Sequence, residues 1–444
     1  MKGLLQTGSS GRVPAPLEKR FLINGIGACL VSILFAWPLP AWSFASCDSL
    51  PSATAQPGAH SPALGLTVSE EGVLLKNGKP YRGIGVNYFG LFYFEVIRRN
   101  GGDDLYDGAL CYTDGLRILA EHEIPFVRFT AVPFWPKQWH LYQTDKEKYF
   151  LRFDAIVAKA EEYGIGLIPS LFWQTSTISD LVGEPRDQWG NPDSNTHAFM
   201  RKYTREVVTR YQQSPAIWAW EFGNEFNLPA DLPNADRHRP TVNVALGTPP
   251  TRSARDDITG ETIVAAFREF ATLVRQLDPH RPILSGNSAP RPFAWHNAHE
   301  NSWSLDSREQ FSEMLLRDNP DPMDMLTIHL YVSPDRTRFP DEAEKDELIR
   351  VAMATAKQAR KPLFLGEFGA SRGAWPDQAR EPNKNLFHSI VDHGVPLAAF
   401  WVFGYPPQEG SFNIAPDNEA AYIFELIRAA NRTMREAAPS AREP

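Results

Sequence analysis

Leu363-Phe364-Leu365-Gly366-Glu367-Phe368 and Ile217-Trp218-Ala219-Trp220-Glu221-Phe222 are the stretches from which the fold of this chain is read. Both are of strand length and almost wholly apolar, with no alternation of wet and dry positions. A strand covered on both faces reads this way, as parallel strands do beneath helices. Six more runs share the pattern: Arg82–Tyr88, Phe126–Thr130, Ile165–Phe172, Pro282–Ser285, Met325–Tyr331 and Leu397–Phe403. The segments between them are long enough for helices. In Glu261–Leu277, for example, Ile263, Phe267, Phe270, Val274 and Leu277 form one stripe, and Asp278-Pro279 ends it.

Alternation of strand and helix through eight strands gives either a barrel or a doubly wound sheet. The first run is not followed by a glycine-rich phosphate loop, which weighs against the nucleotide-binding sheet. The expected architecture is α/β, a (β/α)8 TIM barrel over residues 64–436. Such a barrel needs about 250 residues. The surplus falls at 228–260 and 288–323, expected as long loops at the C-terminal face. Asn77-Gly78 between two apolar runs predicts a tight turn in an N-terminal β-hairpin.

Upstream, Lys19 and Arg20 precede the apolar run Phe21–Ala36, which Pro38 and Pro40 break. The run falls short of the roughly 20 apolar residues of a membrane span, so residues 1–45 read as a signal segment of an exported protein. Ser43-Phe44-Ala45 suits ordinary cleavage to a soluble form. Phe44-Ala45-Ser46-Cys47 is similar to a bacterial lipobox, with a lipid anchor on Cys47. Residues 46–63, rich in Ser, Pro and Ala, read as a flexible tether, and 437–444 as a disordered tail. The three cysteines, Cys29, Cys47 and Cys111, make neither a disulfide framework nor a zinc pattern, so no metal and no cofactor is expected. A net charge of −8 argues against a nucleic-acid partner. Twelve tryptophans suit stacking on sugar rings, and equally a large core; Trp135, Trp139 and Trp295 read both ways.

In a barrel, chemistry sits at the C-terminal ends of the strands. Those ends carry Arg128 on strand 2, Asn224-Glu225 on strand 4, His329 and Tyr331 on strand 6, Glu367 on strand 7 and Trp401 on strand 8. A carboxylate closing an apolar strand is costly unless it is paired or working. Two of them facing one cleft point to one protonated and one ionised group, the division required by double displacement at a β-glycoside. His329 and Tyr331, two residues apart, share a face of their strand. Glu221 is expected in the barrel interior as a structural partner.

At these residues the chain resembles glycoside hydrolase family 5. PAIWAWEFGNEFN (215–227) is similar to the family's strand-4 motif, which implies Glu225 as acid/base beside Asn224. KPLFLGEFG (361–369) is similar to the strand-7 motif, which implies Glu367 as nucleophile. TIHLY (327–331) carries the His-x-Tyr pair, and AAFWVFG (398–404) the Trp that floors the cleaved sugar's site. FVRF (126–129) carries the Arg that supports the nucleophile, and NGKPYRGIGVNY (77–88) the entry hairpin and first strand. The resemblance spans about residues 65–430. It implies a retaining hydrolase of neutral β-linked polysaccharide or oligosaccharide; the chain is expected to be a monomer. Strand 3 ends in SLFWQ, with Trp173 close to where cellulase-like members have a His. That departure favours β-mannan over β-glucan, with Trp173 at the substrate site.

Two other readings are weighed against this one. Gly369–Gly373 fits the GxSxG elbow of a serine esterase, with Ser371 as nucleophile and Asp392 and His393 later in the chain. Ala374-Trp375-Pro376 is a poor start for the helix that an elbow must enter. A non-catalytic, surface-tethered sugar-binding barrel would have lost one of the two glutamates, and both are present.

Overall fold

Asn77 and Gly78 both adopt left-handed backbone, φ 53° and 71°, as a two-residue turn twisted to match its strands requires. The turn joins Leu74–Lys76 to Lys79–Pro80, and Leu66–Val68 pairs antiparallel on the other side. The structure, a computed structural model, describes residues 65–98, 110–332, 338–340, 346–375 and 377–436. The signal segment, the tether, Cys29, Cys47 and the tail lie outside the described residues. Cys111, which precedes the helix Tyr112–Glu121, is disulfide-bonded. No described helix is long and apolar enough to cross a membrane.

Eight parallel strands follow: β1 (Gly83–Asn87), β2 (Phe126–Thr130), β3 (Gly166–Phe172), β4 (Trp220–Gly223), β5 (Ile283–Leu284), β6 (Leu326–Val332), β7 (Leu363–Ala370) and β8 (Leu397–Phe400). Their order is β5-β4-β3-β2-β1-β8-β7-β6, so the sheet curls back on itself into a nearly closed barrel. Each expected apolar run overlaps one of them, and β4, β6 and β7 run one or two residues past the expected ends. Between β5 and β6, the two ends of the sheet order, Asp324 N donates to Ile283 O at 3.1 Å and side chains add to it. Ile283 N donates to Asp324 Oδ2 at 2.7 Å, and Asn287 N to Thr327 Oγ1 at 3.0 Å.

Inside the barrel Phe126, Ile168, Trp218, Leu284, Met325, Phe364 and Leu397 form one apolar layer, joined by Leu66 and Leu74 of the hairpin. Leu66 N donates to Trp218 O, and Lys76 Nζ lies 3.9 Å from the centre of the Trp218 ring. The hairpin therefore closes the N-terminal mouth and leaves the other mouth for polar groups. The outer faces of the strands pack on helices. Gly260–Leu277 buries Ile263, Phe267, Phe270 and Val274 and is capped by Thr259, whose side chain accepts from Thr262 N.

The two surplus segments differ. Residues 228–260 hold three short 3-10 turns, Ala235–His238, Val244–Leu246 and Ala254–Asp256, tied down by the buried Arg252–Asp180 pair. Residues 288–323 are not simply a loop, because they contain the helices Ala294–Glu300 and Arg308–Arg317. The second starts with a reciprocal cap between Ser307 and Gln310.

Candidate active site

Alternation along β6 turns Leu326, Ile328 and Leu330 toward the outer core, which leaves Thr327, His329 and Tyr331 facing the axis. On β2 the same rule turns Val127 and Phe129 outward and Arg128 inward. β7 breaks the rule. Leu365 packs in the outer core and Phe364 in the inner layer, so strict alternation would send Glu367 out to the helices. The register against β6 shifts between Leu365 and Glu367: Leu365 pairs with Ile328, and Glu367 already with His329. This one-residue bulge at Gly366 turns Glu367 inward. Glycine is required there, since a Cβ would lie 2.9 Å from His329 Nε2.

Glu225 follows β4 with left-handed backbone, φ 54°, a conformation that costs a non-glycine residue roughly 1 kcal/mol. Glu225 N donates to Gly286 O at 2.9 Å. At Gly286 a Cβ would meet Gly223 O at 1.9 Å, so β4 and the segment after β5 approach as closely as backbones can.

Arg128, fully buried, binds these pieces together. Its Nε donates to Glu221 Oε1 and Oε2 at 2.8 and 2.9 Å. Its Nη1 donates to Asn87 Oδ1 at 3.0 Å and Glu367 Oε1 at 2.8 Å, and its Nη2 to Asn224 Oδ1 at 2.8 Å. Burial works against the guanidinium's charge, but Glu221 and Glu367 outweigh it and hold the group protonated. Burial pushes the Glu221 carboxyl above its usual range, opposed by Arg128. The other oxygen of Glu367 accepts from Tyr331 Oη.

His329 Nδ1 lies 2.9 Å from Glu225 Oε1 and 3.6 Å from Glu367 Oε2. Burial drives its pKa down to about 3, with the charge of Arg128 acting in the same sense and Glu367 against, so the ring is neutral. Among the described residues its buried Nε2 has no hydrogen-bond partner. A bare ring nitrogen tolerates that better than an N–H, so the proton belongs on Nδ1, donated to Glu225. Donor atoms of Glu225, His329 and Glu367 all lie within 4.8 Å of one another. Such a trio could reach a cation, but its donors are already engaged with Arg128, Tyr331 and each other.

Trp401 and Trp173 are at the site but offer little ring surface, at 1% and 2% exposed. They stack on each other at 6.2 Å, both contact Phe89, and Trp401 Nε1 donates to Gln408. The Arg128 guanidinium lies 4.8 Å from the centre of the Trp173 ring. Trp139 is wholly buried among Tyr142, Tyr149 and Tyr203 and is core.

Sequence reasoning missed Asn87, which links Arg128 to Gly366 O and closes β1 as a polar residue after an apolar run. That is the signal used at the other strand ends. It also left Glu221 outside the site. The esterase elbow does not form: Ser371 leads into the three-residue 3-10 turn Arg372–Ala374, and His393 pairs with Asp346.

A (β/α)8 barrel with two glutamates, one of them held by a buried arginine, gathered at the C-terminal strand ends is the architecture of the barrel glycosidases. Residues 113–405 match the family "Cellulase (glycosyl hydrolase family 5)", and the chain belongs to it. It is 28% identical over 232 residues to an Aspergillus terreus protein named probable mannan endo-1,4-beta-mannosidase C, covering 49% of each chain. To mannan endo-1,4-beta-mannosidase 3 of Solanum lycopersicum it is 27% identical over 281 residues, 56% of this chain and 59% of that one. The chain thus spans about half the length of the curated relatives it matches. Among solved structures, the endo-1,4-beta-mannanase of Rhizomucor miehei shares the fold with a TM-score of 0.60 and 17% identity, over 84% of this chain and 99% of that one.

Proposed function

We propose that this chain is a retaining β-glycoside hydrolase of β-1,4-linked mannan that attacks within the polymer. The observation that carries the reading is the spacing of Glu225 and Glu367, whose oxygens come within 4.8 Å of each other across the barrel mouth. A pair about 5–5.5 Å apart leaves no room for a water and favours a covalent intermediate, whereas inverting pairs stand roughly 6.5–9.5 Å apart.

Glu367, ionised and held by Arg128 and Tyr331, attacks the anomeric carbon while Glu225 gives its proton to the leaving oxygen. The product is a glycosyl ester on Glu367 and a free chain end. Glu225, now a carboxylate steadied by the Nδ1–H of His329, takes a proton from water. That water attacks the same carbon and releases Glu367, so the two inversions retain the configuration. Asn224 orients Arg128 and contributes to the substrate site. Trp173 and Trp401 back the cleaved sugar's position with the little ring surface they expose, and the chain works without cofactor or metal as an exported monomer. Cys47 decides between a lipid-anchored and a soluble form.

The names of the relatives support mannan as substrate and internal attack. The test is a panel of mannan, glucomannan, cellulose, xylan and β-1,3-glucan, with products sized and the first anomer read by NMR. Mixed-length β-manno-oligosaccharides are expected first. Inverted product would overturn the mechanism, and release of monosaccharide alone would overturn internal attack.

A further inference from the structure

Glu221 is a second carboxylate on the same arginine. Its side chain and that of Arg128 are 0% exposed, and that of Glu367 is 4% exposed. Two carboxyl groups thus meet one guanidinium, with all three side chains almost wholly withdrawn from solvent. A buried carboxylate loses several kcal/mol of hydration, which a single ion pair often only offsets. Holding the guanidinium does not need that charge, because Asn87 and Asn224 already grip Nη1 and Nη2 with neutral oxygens. What a carboxylate adds at Nε is a rival to Glu367 for the positive charge of Arg128. Register places the rival: Glu221 pairs with Ser170 on β3, and its carboxyl lies against Gly286, where even a Cβ would come within 2.8 Å of its Cδ.

We infer that Glu221 is a positioning residue for the nucleophile, fixing Arg128 at Nε and sharing its charge so that Glu367 stays reactive. The inference rests on the assignment of Glu367 as nucleophile. In Glu221→Gln the guanidinium keeps a neutral partner at Nε, and Glu367 becomes its sole anionic one. The tightened pair ties up the attacking oxygen and slows ester formation. The same pairing makes Glu367 a better leaving group, so ester hydrolysis is spared. A purely structural role would lower both steps together.

The experiment uses the full chain and a dinitrophenyl β-glycoside of the sugar identified by the polysaccharide panel. With that leaving group kcat/KM reports ester formation and kcat reports ester hydrolysis. Per titrated active site, Glu221→Gln should lower kcat/KM by roughly 10- to 100-fold and kcat by less than about threefold. Glu221→Asp, which keeps the charge but withdraws it, should fall between the wild type and Glu221→Gln. Equal losses in both constants, or none, would overturn the inference. If Glu221→Gln does not fold, Glu221→Asp decides by the same split. A 2-deoxy-2-fluoro glycoside on the wild type separates the two readings. A label away from Glu367 sinks the nucleophile assignment, whereas a label on Glu367 with no split in the variants sinks only this inference.

Discussion

His329 shows how burial at a single residue reaches both function and stability. Its folded pKa of about 3 lies below the roughly 6.5 of an unfolded histidine. Above pH 6.5 neither state is protonated and the residue makes no difference. As pH falls below 6.5 the unfolded chain binds a proton that the folded chain refuses, and stability drops by roughly 1 kcal/mol per pH unit. The charged and titratable groups that act on the ring are Glu225, Glu367 and Arg128, so His329→Gln removes this one titration among several. Melts between pH 7 and pH 4 should show a shallower acid loss for His329→Gln, and parallel slopes would refute the account. Glu367→Ala should cut turnover by roughly three orders of magnitude or more without unfolding the barrel. Glu225→Ala should regain rate in azide and yield a glycosyl azide, because a small anion can attack an ester that no longer has its base. Ser371→Ala should stay within about twofold of wild type. A dead Ser371→Ala enzyme would restore the esterase reading.

At the scale of the element, the bulge in β7 turns an ordinary strand into a functional one. Gly366→Ala forces a Cβ to within 2.9 Å of the His329 ring, between strands that have no slack. Either the bulge shifts or the ring moves, and both disturb the contact of His329 with Glu225 and of Glu367 with Arg128. The expected cost is about 1–3 kcal/mol of stability, together with a loss of kcat well beyond the fraction unfolded. A stable, fully active Gly366→Ala enzyme would show that the bulge is incidental. The hairpin turn is a different kind of element. Asn77-Gly78 was legible because the twist of a two-residue hairpin demands left-handed backbone, a strictly local requirement. The bulge was not, because nothing within LFLGEF says that one residue will go unpaired. Only the neighbour β6 sets that count.

For the whole molecule, the barrel separates stability from chemistry along its axis. The inner layer around Trp218 and the hairpin that covers it lie toward the N-terminal mouth, while the glutamates lie at the other. Trp218→Ala should therefore cost about 3–5 kcal/mol. The rate per folded molecule should hold, with urea midpoints and active-site titration as the paired measurements. A fall in kcat that matched the loss of stability would mean that the two ends are coupled. The long segment after β4 belongs to this scale too, since Arg252 ties it to Asp180, after β3.

Apolar runs without alternation determined eight buried strands, and the polar residues that end them marked Arg128, Glu225, His329, Tyr331 and Glu367. Those signals are local, carried by the burial of a strand and the cost of an unpaired charge, so one sequence contains them. Tertiary structure alone decided that Gly366 bulges, that Glu221 shares Arg128 with Glu367, that Asn87 completes the set, and that Trp173 covers Trp401. Each depends on the stagger between neighbouring strands as the sheet curls into a barrel. That stagger is a property of the closed ring, set by all eight strands at once, and no single stretch of sequence records it.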